Sequence, residues 1–200
     1  MMQPITTSEL GAAHRAEEPA ATATPSVARQ YATISLFVVP TMAYIVHVAL
    51  REARPIAEPR VLLGPVFAVL ALTAIVWLLM LVARNLAVML GAAPVAFFRN
   101  FDGAAIPDWV ERPARTFNNL MQVPLVFYAV CALMIGAGEV DSVQLTLAWI
   151  FAGSRYLHAF AFVGWNDVKW RFAMALPGFV TMGILAARFG MQTAHLWLPG

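Results

Sequence analysis

The sequence predicts an all-α integral membrane protein, and two observations lead to this prediction. Hydrophobic residues make up 60% of the chain and charged residues only 12%, about half the charged share of an ordinary soluble domain. Several apolar segments also reach the roughly 20 residues that a helix needs to cross a bilayer. The net charge of +2 is small and the basic residues form no run, so no nucleic-acid partner is predicted.

The N-terminal part of the chain divides into a tail and a first apolar segment. Residues 1–30 are rich in Ala, Thr, Pro and Glu without apolar periodicity, which predicts a disordered tail. Residues 31–50 are long and apolar enough for an additional transmembrane helix. Pro40 and His47 leave open a helix that lies along the membrane interface instead. A charged, proline-broken connector at residues 51–60 follows.

The remaining apolar segments predict a four-helix transmembrane domain within residues 61–189. The first helix is the long apolar run at residues 61–90, and a loop of mixed charge follows at residues 91–111. Asp108 in this loop is expected to cap the second helix, which continues to about Ile135. The third helix is predicted at residues 143–163 and the fourth at residues 172–188, with a polar turn at residues 164–171 between them.

The distribution of basic residues between the loops predicts an orientation in the membrane. The loop with Arg99 and Arg112 and the turn with Lys169 and Arg171 lie on one side. The positive-inside rule places that side in the cytoplasm. The three arginines of the connector at residues 51–60 then fall on the opposite side.

A polar face marks the start of the second helix, where residues 112–128 change from polar to apolar. Arg115, Asn119 and Gln122 are spaced i, i+4 and i+7, so they lie along one face of a helix. An unpaired arginine or amide in hydrocarbon is costly. This face is therefore expected to meet a polar partner.

A second polar set lies in the helix at residues 143–163. Arg155 and His158 are spaced i, i+3, and they fall toward the same membrane face as Arg115 and Asn119 in the predicted orientation. Guanidinium groups at one depth suit a small anion, because they fork onto carboxylates and favour the thiolate form of a bound thiol. No His, Cys, Asp or Glu cluster accompanies His158, so no metal site is predicted.

Each of these polar residues also has a purely structural explanation. Arg155 and Arg171 can extend to the membrane interface. Asn119 and Gln122 can bond one helix to another within the bundle. Polar groups deep in a span usually serve a site, which favours a functional role for Arg115, Asn119 and Arg155. The structural explanation is favoured for Arg171 taken alone, and Gln122 is evenly balanced.

Two motifs taken together resemble a known family. The first is R-x-x-x-N-x-x-Q-x-P-x-x-F-Y at residues 115–128, preceded by F-F-R-N-F-D-G at residues 97–103. The second is A-W-I-F-A-G-S-R-Y-L-H at residues 148–158. They resemble the MAPEG family, the membrane-associated proteins of eicosanoid and glutathione metabolism, and among them the short bacterial members. The resemblance covers about residues 61–189 and leaves residues 1–60 outside.

The resemblance implies a four-helix protomer in a homotrimer, a multi-pass protein of the bacterial inner membrane. It implies a glutathione site between neighbouring subunits near the cytosolic face. Glutathione would be the co-substrate for transfer to lipophilic substrates, or for peroxidase action on them. Arg171, at the start of the last helix, is implied as the catalytic residue that stabilises the thiolate. The implied glutathione-binding residues are Arg115, Asn119, Gln122, Arg155 and His158.

The sequence departs from the family's pattern at three positions. Catalytic members usually carry a carboxylate where this chain has Gln122, and a carboxylate would pair with the ammonium group of glutathione. An aromatic hydroxyl is common at the position of Phe162, and a histidine or glutamine at that of Phe117. The family also contains a non-catalytic member that binds lipid-like ligands. The alternative function is therefore that of a non-catalytic lipid-binding or partner-stabilising membrane protein of the same fold.

Overall fold

The computed structural model describes residues 27–101 and 106–197. Within these ranges the chain folds into helices that follow one another in sequence. A strand-like pairing within these residues is limited to an isolated bridge between Pro55 and Asp141. A 3-10 turn at Pro59–Leu62 precedes α2. The helices are α1 Val27–Ala49, α2 Leu63–Met89, α3 Val95–Asn100, α4 Asp108–Ala137, α5 Ser142–Val163, α6 Val168–Gln192 and α7 Ala194–Trp197. The all-α prediction is confirmed.

Four helical segments of the described chain are long and apolar enough to cross a membrane. They are Val27–Ala49, Pro59–Met89, Asp108–Ala137 and Val168–Gln192. Helix α5 falls outside this set because Arg155 and His158 lower its hydropathy, yet just over half of its residues are buried. A helix that other helices enclose can carry such groups, since they face protein instead of lipid. The protein is an integral membrane protein in which α2, α4, α5 and α6 form the bundle and α1 is the additional N-terminal helix.

The core of the bundle is built from closely packed apolar side chains, most of them on α4, α5 and α6 and others on α1 and α2. Phe127 stacks on Phe151 with ring centroids 4.3 Å apart, and Met134, Leu147 and Leu185 are fully buried around them. Lipid tails are as apolar as these side chains, so the helices associate through close packing and not through removal of water.

Two helices begin earlier than the sequence suggests. Helix α1 already includes residues 27–30, ahead of Tyr31, because the Ala, Arg and Gln residues there favour helix. The predicted tail before Val27 lies outside the described residues. Helix α6 begins at Val168, because the carboxylate of Asp167 accepts hydrogen bonds from backbone N–H groups two and three residues further on, at 2.9 and 3.1 Å. The chain divides within α1, so that residues from Ile34 onward form a unit of their own.

Asp108 does not cap α4, which corrects the expectation from the sequence. Pro107 occupies the cap position and forms no side-chain hydrogen bond there. Asp108 lies one residue later and accepts a hydrogen bond of 2.5 Å from Nε of Arg112. A basic partner four residues ahead on the helix competes for the carboxylate, which still lies favourably at the positive end of the helix dipole.

The side chain of Asp141 forms hydrogen bonds to both α5 and α6 at the end of the bundle where α5 begins. Its Oδ1 accepts from the backbone N–H groups of Val143 and Gln144 at 2.8 Å. The backbone N–H of Asp141 donates in turn to Oε1 of Gln144, which completes a capping box. Its Oδ2 accepts from Nε of Arg188 at 2.8 Å and from Nε2 of Gln192 at 2.9 Å, both on α6. One carboxylate therefore joins the α4–α5 turn to the far end of α6.

We expect Asp141→Ala to lower the free energy of unfolding by about 3 kcal/mol, because it removes the cap of α5 and leaves Arg188 without its counter-charge. Unfolding in detergent, followed by circular dichroism, measures the change. Glu58→Ala is the control, since Glu58 is exposed and lies 3.8 Å from Arg60, and should cost less than about 1 kcal/mol. Equal losses in the two variants would contradict this role of Asp141.

Candidate functional site

The predicted site residues gather near the turn that joins α5 to α6. Asn166 in this turn has a φ of +54°, a conformation that asparagine adopts more readily than most residues. Its Oδ1 accepts a hydrogen bond of 3.0 Å from Nη1 of Arg171. Arg112 of α4 donates from Nη1 to the carbonyl of Gly164 at 2.6 Å. The turn therefore holds three helices in register at this end of the bundle.

Arg171 and His158 share contacts across the α5–α6 hairpin. The guanidinium of Arg171 lies over the ring of Phe162, 3.5 Å from its centroid, in a cation–π arrangement. Nδ1 of His158 donates to the backbone carbonyl of Arg171 at 2.9 Å, because a carbonyl oxygen can only accept. When the ring is neutral, Nε2 is then its acceptor nitrogen. Both Nε2 of His158 and Nε of Arg171 are buried without a partner in the described chain.

Arg155 is fully enclosed within the protomer, with 0% of its surface exposed. Its Nη2 donates to the carbonyl of Ala175 on α6 at 2.9 Å, and its Nε lies 3.4 Å from Oγ of Ser154. The guanidinium sits between the rings of Phe151 and Phe179, 5.2 and 5.3 Å from their centroids. Its Nη1 has no partner among the described residues. Arg155 thus joins α5 to α6, and the NH2 group of its Nη1 is left without a hydrogen-bond acceptor in the described chain.

The polar face of α4 forms as predicted, but its three residues lie in different environments. Arg115 pairs with Glu111 and lies 4.0 Å from Asp108, with its side chain 54% exposed. Asn119 is partly buried, and its Oδ1 has no partner in the described chain. Gln122 is exposed. The Glu111–Arg115 spacing of i, i+4 is the signal by which sequence reasoning could have found the pairing of Arg115.

The structure brings the predicted cations together. His158 lies within electrostatic reach of both Arg155 and Arg171, and Arg171 lies within reach of Arg115. Asn119 forms no hydrogen bond to these cations within the described chain. Positive groups from α4, α5 and α6 therefore share one region, which favours an anionic ligand.

A cavity of about 300 Å³ opens beside this cluster, between the end of α2, helix α3 and the first turns of α4. Arg84 and Arg115 both line it, together with the carboxylate of Glu111. The guanidinium of Arg84 lies 5.7 Å from the ring centroids of Phe98 and Phe101. The length of the apolar run predicts that its end with Arg84 projects toward the headgroups or cytosol. The contacts of Arg84 with Phe98 and Phe101 were not predicted, because helix α3 was expected to be loop. The cavity offers aromatic surface beside two guanidinium groups.

The fold and this cluster define a helical membrane bundle with buried cationic groups at one end. A protein-family model, that of the MAPEG family, matches residues 62–191. The chain belongs to the MAPEG family, as the two motifs predicted, and is a membrane protein of the glutathione and eicosanoid metabolism type. No curated protein and no solved structure matches it.

Gly178 on α6 tests how tightly Arg155 is packed, because a Cβ at Gly178 would overlap Nη2 of Arg155 and Oγ of Ser154. We expect Gly178→Ala to displace the guanidinium and to destabilise the protein by about 1–3 kcal/mol. Gly183→Ala on the same helix is the control, since its Cβ would meet nothing within 4 Å. Unfolding in detergent compares the two, and similar midpoints would contradict the tight packing of Arg155.

Proposed function

We propose that this protein binds glutathione, or a related thiol, at the cluster of Arg115, Asn119, Arg155, His158 and Arg171. It transfers the thiol to lipophilic electrophiles or uses it to reduce lipid hydroperoxides. The proposal includes a homotrimer in the bacterial inner membrane, with the site between neighbouring subunits. Membership of the MAPEG family supports this reading.

The observation that carries the proposal is a set of buried polar atoms without partners. In the described chain four of the five such atoms are Asn119 Oδ1, Arg155 Nη1, His158 Nε2 and Arg171 Nε, and the fifth is the hydroxyl of Tyr128 further along α4. Each such atom costs about 1–3 kcal/mol, and native structures keep few of them. A ligand that bonds to these atoms would remove the cost.

The hydrogen-bonding character of these atoms fits glutathione. Nη1 of Arg155 and Nε of Arg171 are donors, and they suit carboxylate or carbonyl oxygens. Oδ1 of Asn119 is an acceptor, and so is Nε2 of His158, because the other ring nitrogen donates to a carbonyl. Glutathione carries both carboxylates and N–H groups, so it can satisfy both kinds of atom.

Arg171 is the residue best placed to act on a thiol. Glutathione supplies the sulfur nucleophile, which reacts as the thiolate. Phe162 and Asn166 hold the guanidinium of Arg171 from two directions, so the cation is fixed before a ligand arrives. A fixed cation in a site sheltered from water stabilises negative charge more strongly than one in solution.

A second function, non-catalytic binding of lipid or stabilisation of a partner, is favoured by the charge balance at Arg115. Glu111 and Asp108 already neutralise its guanidinium, which weakens its attraction for a carboxylate. Gln122 adds no charge for an ammonium group. The two functions differ in what they require of Arg171.

Arg171→Ala is expected to lower the rate of conjugation about a hundredfold, because it removes the cation that stabilises the thiolate. Glutathione affinity should fall less. The rate is measured in detergent with glutathione and a generic electrophile, and Arg99→Ala, which removes an exposed arginine of α3, is the control. An unchanged, measurable rate in Arg171→Ala would contradict the role of Arg171, and the absence of any rate in wild type would favour the non-catalytic function. No glutathione binding by wild type in equilibrium dialysis at millimolar concentration would overturn the proposal.

Gln122→Glu is expected to raise glutathione affinity about tenfold, because a carboxylate would form a charged hydrogen bond to the α-ammonium group. Isothermal titration in detergent measures the affinity. Gln122→Met, which has similar length without the charge, should show no gain. Lower affinity in Gln122→Glu than in wild type would place Gln122 away from the ammonium group.

A further inference from the structure

A second cavity, of about 380 Å³, lies at the opposite end of α5 from the cationic cluster, where the connector between α1 and α2 meets the start of α5. The connector lies outside the segment that matches the MAPEG family. The proposed thiol chemistry does not use this cavity. Its lining residues are Val48, Arg51, Glu52, Arg54, Ser142, Val143 and Thr146.

Backbone hydrogen bonds hold the connector against the α4–α5 turn. The N–H of Ile56 donates to the carbonyl of Val140 at 2.9 Å, and the N–H of Ser142 donates to the carbonyl of Arg54 at 2.9 Å. The N–H of Arg54 donates in turn to Oγ of Ser142 at 3.1 Å. The wall of the cavity is therefore built by tertiary contacts and is set before any ligand binds.

The charged groups of the cavity form no ion pair within the described chain. Arg51, Glu52 and Arg54 are all exposed. The ion pairs of the described chain are formed by other residues, and Asp141 nearby is engaged by Arg188. Two guanidinium groups and one carboxylate are therefore available to a ligand.

The hydroxyl groups of the cavity add one donor and one acceptor. Oγ of Ser142 accepts from the N–H of Arg54, so its own proton is free to be donated. Oγ1 of Thr146 donates to the carbonyl of Ser142 at 2.8 Å, so its oxygen is free to accept. The cavity thus offers donors for a negative group and acceptors for a positive one.

The length and apolar composition of α1 favour a position of the cavity at the level of lipid headgroups. Helix α1 is long enough to span a membrane and ends at Ala49, two residues before Arg51. Val48 and Val143 form an apolar part of the wall. In the predicted orientation the arginines of the connector lie on the side opposite the cytoplasm, where the positive-inside rule expects few basic residues. A local anionic partner would account for their presence there.

We propose that this cavity binds the headgroup of a zwitterionic phospholipid of the ethanolamine type. Arg51, Arg54 and the hydroxyl of Ser142 hold the phosphate, since guanidinium groups fork onto phosphate oxygens. Glu52 and the oxygen of Thr146 accept from the ammonium group. The acyl chains leave along the apolar wall into the bilayer.

Native mass spectrometry of the full-length protein in mild detergent tests the proposal, with phosphatidylethanolamine or phosphatidylglycerol added. Wild type should retain phosphatidylethanolamine in preference to phosphatidylglycerol. The double variant Arg51→Gln with Arg54→Gln should retain about tenfold less of it, and Glu52→Gln should shift the preference toward phosphatidylglycerol. Arg60→Gln is the matched control, since Arg60 belongs to the same connector, pairs with Glu58 and does not line the cavity; it should bind as wild type does.

Several outcomes would overturn the proposal. One is equal retention by the double variant and wild type, and another is an equal loss in Arg60→Gln. Displacement of the lipid by a millimolar excess of inorganic phosphate would mean a site for free anions. Preference of wild type for phosphatidylglycerol would contradict the role of Glu52. If the double variant does not fold, the single variants Arg51→Gln and Arg54→Gln are compared with Arg60→Gln in the same way.

Discussion

The enclosed guanidinium of Arg155 is the constraint on which the rest of the structure depends. A cation in the hydrocarbon core costs roughly 3 kcal/mol or more unless protein groups surround it. Here two aromatic rings and the carbonyl of Ala175 surround it, and Gly178 leaves the space for it. Helix α5 is therefore enclosed by the other helices of the bundle. Its hydropathy, which is too low for a lipid-facing span, agrees with this position. The more apolar helices can then take the positions that face lipid.

The same contact sets the register of the α5–α6 hairpin and so the geometry of the candidate site. Once Ala175 is held against Arg155, the first turn of α6 must lie beside the last turns of α5. That register brings Arg171 over Phe162 and its carbonyl to His158. The structural and functional explanations of Arg155 are therefore not exclusive, because an arginine that joins two helices also supports the cation that would act on a thiol.

The sequence was sufficient for the membrane bundle and the family, because both depend on local signals. Long apolar runs predict helices without knowledge of their neighbours, and the motif around Arg115 carries the family. Contacts between distant residues could not be predicted in this way. Asp141 accepts a hydrogen bond from Arg188, which lies 47 residues further along the chain. Asp108 was expected to cap α4 but accepts a hydrogen bond from Arg112 instead. The site was predictable as a set of polar residues, but not the enclosure of Arg155 or the neutralisation of Arg115, which depend on packing and on nearby acids.

The two ends of the bundle differ in how their charges are satisfied, and this difference separates their roles. At the end near Arg171, Arg155 and His158 are buried, and Arg155, His158 and Arg171 keep nitrogen atoms without partners in the described chain. A ligand that reaches these atoms enters a sheltered region where electrostatic interactions are strong. At the other end Asp141 is fully bonded within the protein, while the charges of the connector are exposed. Exposed charges bind weakly alone, so a ligand there needs a second source of affinity. Acyl chains in the bilayer supply such a source, which is why a lipid suits this end and a small soluble thiol suits the other.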